Sequence, residues 1–194
     1  YQLLREEKVG ATMGSELIMN ALLAMLISWV LIILYVSYRF EFKFGISAVL
    51  ALVHDILIVL SVFSLLQKQH DSSFVAALLT IVGYSINDTV VIYDRIRGDR
   101  GLLGKQMPFE ELVNLPINQS LRRTIMTTVT TVLVLAVLCV FAVIYGLDSL
   151  FTFVFPLTMG MVSGVYTSLC ISTSCWVTWN RYQANKAQKA VGKK

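Results

Sequence analysis

Phe74-Val-Ala-Ala-Leu-Leu-Thr-Ile-Val-Gly-Tyr-Ser-Ile-Asn-Asp-Thr-Val-Val-Ile-Tyr-Asp-Arg-Ile-Arg97 is an apolar run long enough to cross a bilayer, and it carries a carboxylate, Asp88, inside it. A membrane helix needs about 20 mainly apolar residues, and the Ser, Gly, Asn, Asp and Thr of this stretch weaken it without ending it. An ionised side chain at membrane depth costs at least about 2.5 to 3.5 kcal/mol on insertion scales, so a chain that keeps one uses it or pairs it.

The flanking sequence has the same character. The chain has 194 residues, of which 56% are hydrophobic and 14% charged, with a mean hydropathy of +0.70. Soluble domains are about 45 to 50% apolar. Five segments pass the length test: Leu17 to Tyr38, Gly45 to Leu66, Phe74 to Ile96, Thr124 to Tyr145, and Leu150 to Trp179. These predict an all-α integral membrane protein. The net charge of +4 comes with no zinc-finger or RNA-binding signature, so nucleic acid is not an expected partner and the basic residues read as topology signals. Cys139, Cys170 and Cys175 lie in apolar segments without Cys-x-x-Cys spacing, and read as small packing residues.

Charge places the loops. Of the 16 Lys and Arg residues, all but Arg5, Lys8 and Lys68 fall on one set of connections and the C-terminal tail. By the positive-inside rule that set is cytoplasmic, so the C-terminus is predicted inside and Tyr1 outside. The sizeable cytoplasmic loop is predicted at about residues 98–121, with Gly98, Gly101 and Gly104 as turn residues, and the cytoplasmic tail at about 181–194. A short helix from near Pro108 presents Phe109, Leu112 and Val113 on one face, which predicts that it lies on the membrane surface or docks a cytoplasmic partner. Pro116 is expected in the first turn of the fourth span, where its missing N–H costs nothing.

Polar residues inside the spans mark where chemistry could occur. His54 and Asp55 lie roughly 15 Å, and Asp88 roughly 10 to 12 Å, from the cytoplasmic ends of their helices. Arg123 stands at the entrance of the fourth span, and Thr127, Thr130 and Thr131 form a polar stripe above it, able to hold water or bond a neighbouring helix. A carboxyl group in low dielectric holds its proton, and a nearby guanidinium releases it, so movement of Arg123 relative to Asp88 would load and unload a proton. Plainer readings stand beside this one. Arg122 and Arg123 can be an interfacial pair, Asp94, Arg95 and Arg97 an interfacial charge cluster, Asp88 an interhelical hydrogen bond, and His54 with Asp55 a static buried pair. Gly160-Met-Val-Ser-Gly164 is a small-xxx-small pattern and predicts close helix packing.

The chain resembles the SecF family of protein-export membrane subunits over nearly its whole length. The resemblance rests on Val9-Gly10 with Gly14-Ser-Glu-Leu17, on Arg39-Phe-Glu-Phe-Lys-Phe44, on Ala51-Leu-Val-His-Asp55 and, most specifically, on Gly83 to Arg97. Phe109-Glu-Glu-Leu-Val-Asn114, Ile117-Asn-Gln-Ser-Leu121 and Arg123-Thr-Ile-Met-Thr127 add an independent match. It implies that the five spans are helices two to six of a six-helix unit similar to half of a resistance-nodulation-division transporter. Residues 1–14 would then end an extracytoplasmic domain and residues 15–194 form the transmembrane domain.

The implied function is assistance, with SecD and driven by the proton motive force, to the export of unfolded polypeptide through SecYEG in a bacterial or archaeal cell membrane. Carried over by motif, Asp88 would carry the proton and Arg123 would be its cationic partner. His54, Asp55, Asn87, Thr127, Thr130 and Thr131 would form a supporting polar network. No cofactor or metal is implied; the coupling ion would be H+, with Na+ the alternative. Ala11, Gly98 and Thr128 depart from the family's usual Pro, acidic residue and Ser. The rival readings are an intramembrane aspartyl protease with an Asp55–Asp88 dyad, a non-conducting scaffold, and half of a small-molecule exporter. The Gly-x-Gly-Asp context of the protease is absent.

Overall fold

The computed structural model describes residues 11–67, 71–103 and 108–191. Most of the stub expected at 1–14, together with Lys68, Gly104, Lys105 and the last three residues, lies outside the described residues. Everything described forms helices and their short connections: α1 (Ala11–Arg39), α2 (Phe42–Leu65), α3 (Ser72–Leu103), α4 (Phe109–Ile144) and α5 (Asp148–Tyr166). A π-helical turn, Thr167–Ser172, joins α5 to α6 (Thr173–Val191) as one continuous rod. Five helices among the described residues are long and apolar enough to span a membrane, the fifth being Asp148–Lys186. The five predicted spans and the all-α class therefore hold.

The boundaries differ where local signals were overruled. Gly98 and Gly101, expected in a turn, lie inside α3, and a Cβ at either would meet nothing within 4 Å. Their helix is anchored because Arg97 donates to the Arg39 carbonyl and Arg100 lies 3.0 Å from Glu41. Pro116 is well inside α4 rather than in its first turn. The predicted surface helix and the fourth span are thus one 36-residue helix. Proline removes one intrahelical hydrogen bond, but Val113, Phe109 and Ile117 pack into a cluster with Ile92, Tyr93, Ile96 and Trp176. The apolar face that was expected on the membrane surface is covered by the protein itself, and that burial keeps the helix going through the proline.

Two apolar clusters organise the interior. One gathers Leu52, Ile56, Val59, Phe63, Phe74, Ile81, Val154 and Leu157. The other is built on Phe44, Tyr93 and Trp176, with the Phe44 and Trp176 rings stacked at 4.5 Å. Along α3 and α5, the residues between the clusters are polar and buried: Ser85, Asp88 and Thr89 on one, Thr167 and Ser168 past the end of the other. α1 and α4 lie outermost and leave Leu26, Val30 and Leu34, and Leu133, Val137 and Val140, exposed.

Contacts also bring the basic connections together. Arg39 faces Asp94 at 3.7 Å, Arg95 donates to Gln119 at 2.7 Å, and Lys43 donates to Asn180 at 2.8 Å. The α1–α2 turn, the end of α3, the start of α4 and α6 therefore share one end of the bundle, as the charge count requires. Asp94 has Arg39, at the end of α1, as its charge partner.

Candidate functional site

α3 and α5 run parallel with a constant register. Thr89 shares a hydrogen bond with Ser168 at 3.0 Å, and Tyr93 shares one with Ser172; each pair is 79 residues apart. The same offset pairs Ile81 with Gly160 and Ser85 with Gly164, where a Cβ on either glycine would meet the α3 side chain. Gly160 and Gly164 thus let α3 approach closely, as their spacing predicts. A column of every fourth residue drifts round an α-helix of 3.6 residues per turn. The π turn, with its i→i+5 bonds, holds that rotation back and keeps Ser168 and Ser172 facing α3.

This close approach encloses Asp55, which is fully buried. Ser85 donates to its Oδ2 at 2.8 Å and Ser163 to its Oδ1 at 3.0 Å, so one carboxylate ties α2 to both α3 and α5. His54 lies beside it, with Nδ1 3.2 Å from Thr167 Oγ1 and 4.0 Å from Asp55 Oδ1. The His54 side chain is 37% exposed, so His54 and Asp55 are not a closed buried pair: the imidazole sits at the edge and the carboxylate inside. Ser85, Ser163 and Thr167 went unnoticed in the sequence, because single hydroxyls in apolar runs carry no periodic signal.

Asp88 has a different environment. It is 8% exposed and its carboxyl, among the described residues, makes neither a hydrogen bond nor an ion pair within 4.0 Å. Tyr84, one turn before Asp88, lies 3.5 Å from Thr131, and Arg95 reaches Gln119. This antiparallel register puts Asp88 level with Thr127 on α4 and about one turn from Arg123.

The threonine stripe is mostly self-contained. Thr127 donates to the carbonyls of Arg123 and Thr124, Thr130 to those of Met126 and Thr127, and Thr131 to that of Thr127. Of these three, only Thr131 shares a hydrogen bond with another helix among the described residues. The hydroxyls buried on α4 are instead Ser120, Thr124 and Thr128, and those of Ser120 and Thr128 find no partner among the described residues. Asn87 is exposed and joins neither group.

Gly160 offers a direct test of the α3–α5 contact. A Cβ there would fall 2.5 Å from Ile81 Cδ1 and 2.9 Å from Cγ2, so a rotamer change of a buried Ile81 does not clear it. Gly160→Ala is expected to lower stability by about 1 to 2 kcal/mol, as overpacking does, and Ile81→Ala in the same chain to recover part of it. Thermal unfolding in detergent reads both; additive losses would show that the two residues do not share the contact.

The sequence of residues 1–182 matches the C-terminal region of the SecD/SecF protein export membrane proteins. The chain belongs to this family. The SecF translocase subunit of Sebaldella termitidis is 39% identical over all of the chain, which spans 62% of that relative. The SecDF translocase subunit of Thermus thermophilus is 43% identical over 96% of the chain, which spans 25% of it. A crystal structure of SecDF in a super-membrane-facing form superposes with a TM-score of 0.80 at 43% identity, over 90% of the chain and 23% of that structure. The SecD/SecF chain is thus a multi-pass membrane protein, and it matches only part of the length of these relatives.

Proposed function

We propose that this chain supplies the SecF-type half of a protein-translocase accessory complex, pairs with a SecD-type half, and uses the proton motive force to assist export of unfolded polypeptide through SecYEG. One observation supports the coupling role above the rest: the Asp88 carboxyl is nearly buried and has no hydrogen-bond partner among the described residues, with Arg123 about one turn away on α4. A carboxylate held in this way can alternate between a protonated form suited to low dielectric and an ionised form drawn to Arg123. The SecDF relatives join both halves in their names, which supports a SecD-type partner facing Asp88. Asp55 then holds α2, α3 and α5 in place. By the positive-inside rule the end carrying Arg39, Arg97 and Arg123 faces the cytoplasm.

Both oxygens of Asp55 accept serine hydroxyls, which argues against a proton-sharing Asp55–Asp88 protease dyad. The proposed function is tested at Arg123. Arg123→Met is expected to lose proton-motive-force-dependent stimulation of export, measured as the difference in secretion with and without a protonophore. Arg123→Lys, which keeps charge but not the planar donor fork, is expected to retain part of it. Wild-type stimulation in Arg123→Met would remove Arg123 from the mechanism.

A further inference from the structure

At the polar end of the bundle lies a pocket of about 450 Å³, lined by Phe40, Glu41, Phe44, Arg97, Arg100 and Gly101. Its charges are unequally satisfied. Arg39 is paired with Asp94, and Arg100 with Glu41. Arg97 donates only to the uncharged Arg39 carbonyl and, among the described residues, has no ion pair. The guanidiniums are also held in position: Arg39 and Arg97 lie 5.3 and 5.9 Å from the Phe40 ring centroid, and Arg100 lies 5.8 Å from that of Trp176. The pocket therefore combines a guanidinium with no carboxylate partner among the described residues, a second cation oriented by Glu41, and an aromatic wall.

We propose that this pocket binds the phosphate headgroup of an anionic phospholipid, with Arg97 as the principal cation and Arg100 as the second. Guanidinium recognises phosphate through paired N–H donors, and basic pockets between membrane helices take such headgroups. The surroundings favour a lipid over a free anion. α1 ends just before the Phe40 and Glu41 of the pocket wall, and in its last two turns Leu34, Tyr35 and Tyr38 are 61%, 58% and 93% exposed, an apolar and aromatic surface for acyl chains at the height where tyrosines sit in bilayers. Glu41 works against any anion, and its pairing with Arg100 leaves Arg97 as the net positive charge. This inference does not depend on the proposed coupling function.

The test uses the full-length protein, reconstituted with equal amounts of phosphatidylglycerol and phosphatidylcholine, extracted, and examined by native mass spectrometry for retained lipid. Phosphatidylglycerol is expected to be retained preferentially, and Arg97→Gln to reduce its retention by about fivefold. Arg122→Gln, at an exposed position on α4, should leave retention unchanged. Arg100→Gln is the second variant, since losing an exposed ion pair costs little stability. Equal retention of the two lipids, or wild-type retention in both Arg97→Gln and Arg100→Gln, would overturn the proposal. Displacement of phosphatidylglycerol by millimolar inorganic phosphate would likewise overturn it in favour of a free-anion site.

Discussion

Asp88→Asn is expected to abolish proton-motive-force-dependent stimulation of secretion while leaving the protein inserted, assembled and as stable as the parent. The substitution keeps shape and removes the exchangeable proton. Because the Asp88 side chain makes no hydrogen bond or ion pair among the described residues, an amide there breaks no such bond to them. It also removes the cost of placing a charge at membrane depth, so the melting temperature should not fall. Secretion by the Asn variant should match that of the parent protein after protonophore treatment. Full stimulation in a stably expressed Asn variant would exclude Asp88 as the proton carrier. A variant that lost stimulation only because it unfolded would show a fall in melting temperature.

Asp55→Ala is expected to damage the fold instead. The carboxylate is the common acceptor for Ser85 and Ser163, and its removal leaves two hydroxyls without that acceptor in a space lined by α2, α3 and α5. Lost hydrogen bonds and the cavity together are expected to cost about 3 kcal/mol. Asp55→Asn keeps the volume and one acceptor oxygen, so its cost should be below about 1 kcal/mol. Thermal unfolding of the three proteins in one detergent gives the comparison. If Ala and Asn melted together at the parental temperature, Asp55 would not be the tie between these helices. If Asp55→Asn were stable yet inactive in export, its ionisation would matter beyond packing.

The contrast between the two carboxylates separates what was legible from what was not. Both were visible as charged residues inside apolar runs, because insertion cost depends only on residue type and depth. The sequence could not tell them apart, since the distinction lies in which neighbour reaches each one. Ser85 and Ser163 are 30 and 108 residues from Asp55, and no local pattern links residues at such distances. The Gly160–Gly164 spacing was readable because close packing needs only a repeat of small residues on one helix, whereas its partner on α3 was not. Pro116 and the glycines at 98 and 101 misled for the opposite reason: their local preferences are real, and burial of Val113 and Ile117 together with the Arg97 and Arg100 contacts outweighed them.

By itself the sequence determined five membrane spans, the shared end of the basic connections, the family, and the two carboxylates and one arginine worth testing. The family follows from the resemblance of its motifs; the rest follows from composition and period, which act within one helix. Tertiary structure alone decided that α3 and α5 lock in a 79-residue register, that a π turn maintains it, that Asp55 is tied on both sides, and that the Asp88 carboxyl is left without a hydrogen bond among the described residues. Such features arise where helices distant in the chain meet in a medium without water, and there every polar group takes whatever partner the packing brings within reach.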